Sequence, residues 1–87
     1  MWIRTQSKRR IINSDQIFDI SIDKTGTKII AGILLNEGRF DYTLGEYEDI
    51  DVCLKILEKL QTVSIISYSY EEMPLSSDVD EWLNEEI

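Results

Sequence analysis

The sequence predicts an α+β domain: an antiparallel β-meander of about four strands, one covering helix, a further strand, and an acidic C-terminal extension able to form a short helix. Three observations lead there. Apolar and polar residues alternate over 16–23 and 39–45, the apolar spacing lengthens to that of a helix over 50–63, and the two-residue period returns over 64–70. A period of two is the mark of a half-buried strand and a period near 3.6 that of an amphipathic helix.

Trp2-Ile3-Arg4-Thr5-Gln6 is rich in β-formers and alternates in polarity, so it reads as a strand, with Ser7-Lys8-Arg9-Arg10 as a turn. Arg10 to Asn13 re-enters the sheet through Ile11 and Ile12, and Asn13-Ser14-Asp15 is a second turn signal. In 16–23, Phe18, Ile20 and Ile22 are expected on one face, opposite Asp19, Ser21 and Asp23. Lys24-Thr25-Gly26 is a hairpin loop in which Gly26 supplies the positive φ. Thr27 to Leu35 is apolar on both faces, which suits a central strand covered on both sides or a strand at an interface. Asn36-Glu37-Gly38 is the next turn, and Phe40, Tyr42 and Leu44 share a face of the strand that follows.

Ile50, Cys53, Leu54, Leu57 and Leu60 then line one side of a helix, widened by Val52, Ile56 and Val63. Asp49 is placed to cap it, and Asp51 falls in its positive first turn. Ser64 to Tyr70 is read as the last strand, ended by Met73-Pro74. In the extension, residues 75–87, Ser76 or Ser77 caps a short helix on which Val79, Trp82, Leu83 and Ile87 share a face. The organisation is thus one domain over 1–74 plus the extension.

Eighty-seven residues give a thin core by surface-to-volume scaling. No stretch approaches the ~20 apolar residues of a membrane span, and no apolar segment of signal-peptide length follows the basic start. With one cysteine and no partner for it, the expected setting is a reducing cytoplasm. The net charge of −8 is unevenly placed: Arg4, Lys8, Arg9 and Arg10 open the chain, while residues 71–87 hold seven acids and no base.

Tests for chemistry mostly return structural readings. Asp23-Lys24-Thr25-Gly26-Thr27 matches the aspartyl-phosphate motif of P-type ion pumps, but the βαβ layout and further carboxylates that this chemistry needs are missing, so a hairpin turn explains it. Asp19, Ser21, Asp23 and Thr25 make a poor calcium loop, since no closing glutamate follows. The absence of histidine removes the usual base for Ser or Cys nucleophiles and most zinc sites. Cys53, on the apolar side of the helix, reads as a buried inert thiol. The carboxylates Glu48, Asp49 and Asp51 and the pair Glu71-Glu72 are residue types able to do acid–base work or bind a hard cation, but carboxylates at a helix start are usually caps. No glycine-rich phosphate loop is present. No catalytic residue, metal ligand or cofactor is expected.

The opening Met1-Trp2-Ile3-Arg4-Thr5-Gln6, the segment Leu44-Gly45-Glu46-Tyr47 before the helix, the helix, and Tyr70-Glu71-Glu72-Met73-Pro74 together resemble a group of small proteins of Gram-positive bacteria and their phages. The resemblance covers about residues 1–74. It implies a bacterial or phage origin and an intracellular setting. The family has no established activity, so it supplies no functional residues. The acidic extension departs from its usual ending.

Two binding surfaces follow. The first is the extension, where Trp82 and Leu83 within Asp78, Asp80, Glu81, Glu85 and Glu86 form an anchor pair in an acidic run, suited to a basic site on a partner protein. The opposed reading folds Trp82 back to enlarge the core. An inhibitor of a host defence protein, anti-CRISPR-like, is one concrete form of the first reading. The alternative is a nucleic-acid accessory protein that stacks Trp2 and holds phosphates with Arg4, Lys8, Arg9 and Arg10, against the repulsion of the acidic whole.

Overall fold

The computed structural model describes residues 2–66 and 70–85, with backbone alone at 63–66 and 70. It is an α+β fold, as expected, but its strands divide into two three-stranded sheets in place of one meander. β1 (Trp2–Arg4) and β2 (Ile11–Asn13) pair antiparallel, and β6 (Tyr70–Glu72) adds parallel to the other edge of β1. β3 (Ile17–Ile22), β4 (Lys28–Leu35) and β5 (Gly38–Glu46) form the second, antiparallel sheet with β4 at its centre.

The split has a local cause. Lys8, at φ 66°, closes the β1–β2 loop, with Thr5 N–H donating to Arg10 O at 2.9 Å. The chain then leaves β2 through one 3-10 turn, Ser14–Gln16, in which the Asn13 side chain accepts from Asp15 N–H. A side chain that competes for a neighbouring backbone group turns the strand out of its ladder.

Two bulges adjust the long sheet. Between Ile17 and Asp19 the register with β4 shifts, so Phe18 is the extra residue. Phe18 therefore leaves the face of Ile20 and Ile22, contrary to the simple alternation, and is 48% exposed; Ile17 takes the inner position opposite Ile33. A second shift, between Ile29 and Ile30, makes Leu44 the extra residue of β5, and Leu44 is fully buried.

α1 (Ile50–Ile66) starts where expected: Asp49 Oδ1 accepts from Val52 N–H at 3.0 Å. Its Cys53, Ile56 and Leu60 share one buried core with Ile29, Ala31 and Leu44 of the long sheet and Ile3 and Ile12 of the short one. The helix runs three residues past the expected end, through Ser64–Ile66, and the last strand lies at Tyr70–Glu72 instead of Ser64 to Tyr70. Residues 67–69 of that expected strand lie outside the described residues. The Lys24-Thr25-Gly26 loop is a hairpin, with Gly26 at φ 78°.

A cluster of polar contacts ties the two sheets together. Gln6 N–H donates to Leu44 O at 2.7 Å; its side-chain amide donates to Glu46 O and Pro74 O and accepts from Glu46 N–H. The buried Tyr47 hydroxyl donates to Pro74 O at 2.9 Å. Tyr47 lies so close over Gly45 that a Cβ there would be 2.6 Å from its hydroxyl oxygen. The opening segment, Leu44–Tyr47 and Met73-Pro74 thus meet at one point, three stretches that are remote in sequence.

The extension is part of the domain. After a 3-10 turn at Ser76–Asp78, α2 (Val79–Asn84) packs Val79 and Trp82 into the common core, and Leu83 against its side.

Candidate functional site

Folding resolves the two readings of Trp82. Its ring is 6% exposed, its Nε1 donates to Glu71 Oε1 at 2.8 Å, and Lys59 lies 4.3 Å above the ring while donating to Trp82 O. Trp82 is a core residue, and Leu83 is half-buried beside it, so neither is presented as a free anchor. The physical reason is the thin core: an 87-residue chain gains more by burying its largest side chain than by displaying it.

The extension does present its charges. Asp78, Asp80, Glu81 and Glu85 are exposed; Glu86 and Ile87 lie outside the described residues. On one side of α2, a groove of about 370 Å³ brings Asp78, Glu81 and Glu85 together with Glu71 and Glu72. Met73, Pro74, Leu75 and Trp82 also line it, and Lys8 is the one basic residue among its lining. Lys8 lies 3.8 Å from Glu72. A second cleft, of about 140 Å³, is lined by Asp80 and Glu48 together with Ser76 and Ser77. α2 therefore contributes carboxylates to both hollows. Glu71, Glu72 and Glu48 are members the sequence alone did not assign to this surface; they come from β6 and the approach to α1, and no spacing connects them.

The expected basic patch does not assemble as a free surface. The Arg4 guanidinium donates to Lys8 O, Lys8 pairs with Glu72, and Arg10 stacks 4.1 Å over the Tyr42 ring. Arg9 is exposed and Trp2 is 49% exposed, but the other three cations are engaged by the protein itself.

The remaining motifs behave structurally. Asp23 accepts from the Thr25 hydroxyl and from the N–H groups of Thr27 and Lys28, closing the hairpin. Desolvation is the largest single influence on its pKa and acts upward, but these hydrogen bonds and the nearby Lys28 charge together outweigh it and hold the carboxyl below its ordinary value. Cys53 is fully buried, and burial pushes its thiol up, with the nearby Asp23 and Asp49 adding to the effect; a thiol so placed is a weak nucleophile. Burial likewise raises Tyr47. Among the described residues no group of acids and thiols is arranged to hold a metal ion, no buried side-chain polar atom lacks a partner, and no helix is long and apolar enough to cross a membrane.

No family model matches the chain, and no curated protein or solved structure is significantly similar to it. The fold and surface define an α+β domain with an acidic groove beside its C-terminal helix.

Proposed function

We propose that this protein acts by binding, without catalysis, and that the acidic groove beside α2 occupies a basic site on another protein in the reducing interior of a bacterial cell. The observation that carries the reading is the convergence of Glu71, Glu72, Asp78, Glu81 and Glu85 around one groove with a single lysine among its lining residues. Carboxylates at that density set a negative potential that steers a cationic surface, and Leu75, 42% exposed, offers an apolar contact once it arrives. Occupying a site that a defence protein keeps for nucleic acid is the form of this function that the charge fits best.

The test replaces charge without touching the core. A triple variant, Asp78→Asn, Glu81→Gln and Glu85→Gln, keeps Val79 and Trp82 in place. In pull-downs from host lysate at low salt, the native chain should retain a basic partner that the variant loses by at least about tenfold, equivalent to ~1.4 kcal/mol. Equal retention by a variant that folds normally rejects the reading.

A further inference from the structure

We infer that the far half of β5 pairs with β5 of a second copy of this chain, antiparallel and in one register, so that the two long sheets join across a two-fold axis. The backbone groups give the direction. Glu46 is turned away from β4, because its N–H and C=O both bond the Gln6 side chain. Lys28, its partner across the ladder, is turned toward β3, where Lys28 O accepts from Asp23 N–H. The extra residues of this sheet, Phe18 and Leu44, lie in β3 and β5, so β4 alternates without a break. Gly32 and Leu34 then turn toward β3 as Lys28 does, and their β5 partners, Asp41 and Arg39, point their N–H and C=O to the outside.

β5 is the terminal strand of its sheet, and only the far end of its outer edge is open. Near the base, Leu44 O accepts from Gln6 N–H. Gly38, Arg39, Phe40 and Asp41 are all exposed, and among the described residues nothing bonds the outward backbone groups of Arg39 and Asp41. An edge left in this state is a template for a further strand.

Charge selects both the register and the occupant. Facing residues of an antiparallel pair share a face of the sheet, so a two-fold axis passes between one residue and its own copy. An axis at residue 39 sets arginine against arginine, and one at residue 41 sets aspartate against aspartate; like charges directly opposed are destabilising. An axis at residue 40 sets Arg39 against the copy's Asp41, and each such pair exchanges both of its backbone bonds. Arg39 already binds Asp41 of its own chain at 2.7 Å, so the two pairs close into a square of alternating sign. On the other face Phe40, 40% exposed, meets its own copy. Tyr42 of each chain then covers Gly38 of the other, where an added Cβ would have nothing within 4 Å, the arrangement in which an aromatic ring shields an edge glycine. The stretch from Gly38 to Tyr42 is thus its own complement, and it carries no net charge in a chain of −8. α2 takes no part in it, so the interface does not depend on the acidic groove.

The test uses the native chain at about 0.15 M salt, where repulsion between acidic copies is screened beyond ~8 Å. Sedimentation equilibrium should show monomer and dimer with a Kd of about 1 mM or tighter. As the dimer fills, amide exchange should slow at Arg39 and Asp41. Two single variants then examine the register. Asp41→Arg and Arg39→Asp each oppose like charges and should weaken self-association about tenfold or more, while an equimolar mixture of the two should regain it. If either variant fails to fold, exchange in the native chain decides the matter. A native chain still monomeric at about 1 mM overturns the inference. So does a dimer in which Arg39 and Asp41 exchange as fast as in the monomer, or a mixture of folded variants that stays apart.

Discussion

Single residues set the tolerances of this small fold most sharply where the two sheets join. Gly45 leaves room for the Tyr47 ring, and the Tyr47 hydroxyl in turn reaches Pro74 O. In Gly45→Ala the new methyl would meet Tyr47 Oη, Cε2 and Cζ at 2.6 to 2.8 Å, and the ring is too buried to swing away. The expected cost is about 1–3 kcal/mol, the range of overpacked sites, read as a lower denaturant midpoint at unchanged slope. Asp23 gives a pH signature. Its folded pKa is depressed, so its contribution to stability is present above the unfolded value of about 3.9 and is lost as pH falls through the folded pKa. The loss of stability on acidification below about pH 4 should be smaller in Asp23→Asn than in the native chain, measured by urea unfolding across that window. The sequence made such residues legible when their partners are near. Asp49 reaches Val52, and Gly26 sits within its own turn, so both were readable. Gln6 was not, because its amide finds Glu46 and Pro74, partners 40 and 68 positions away.

Elements were readable in kind and less so in extent. The switch from a two-residue period to a helical one located the start of α1 at Ile50, but Ser64-Ile65-Ile66 suits either period, and helix continuation took it. Alternation predicted β3 but not the bulge that turns Phe18 outward, since one extra residue leaves no mark on composition. The two-sided apolar character of β4 has an answer in space: its inner residues Ile29, Ala31 and Ile33 enter the core, while Leu34 stays 61% exposed. On the outer face of that sheet Arg39 binds Asp19 and Asp41 and stacks on Phe18. α2 shows why an element cannot be judged by its own length. Six residues make no stable helix alone, yet Trp82 is held by Glu71, Lys59 and the core. Trp82→Ala should cost about 3–5 kcal/mol, a large share of the roughly 4–13 kcal/mol expected for a domain of this length. A chain ending at Pro74 should fail to fold cooperatively in thermal unfolding followed by near-UV circular dichroism. Glu85→Gln, exposed just past the end of the same helix, should stay within about 0.5 kcal/mol. If the shortened chain kept a sharp transition, α2 would be an appendage and its tryptophan would again be available to a partner.

At the scale of the whole molecule, the surface pulls against the fold. Carboxylates gathered in the two hollows beside α2 repel each other, and a net charge of −8 adds a general repulsion that compaction increases. Only three ion pairs stand against this among the described residues, all partly exposed: Lys8 with Glu72, and Arg39 with Asp19 and with Asp41. Exposed pairs contribute at most ~1 kcal/mol each, and salt weakens attraction and repulsion alike. The balance of signs decides the outcome. With 17 acidic residues to 9 basic, repulsion is the larger quantity, so stability should rise as the Debye length shrinks from about 30 Å at 0.01 M salt to about 8 Å at 0.15 M. The triple variant Asp78→Asn, Glu81→Gln and Glu85→Gln should then melt higher than the native chain at low salt and respond less to added salt. A gain in stability on removing three surface charges is the outcome of relieved like-charge repulsion, and it would show that folding does not need these carboxylates. Were the variant to melt lower at every ionic strength, those carboxylates would be holding the fold together, and the groove would be explained without a partner.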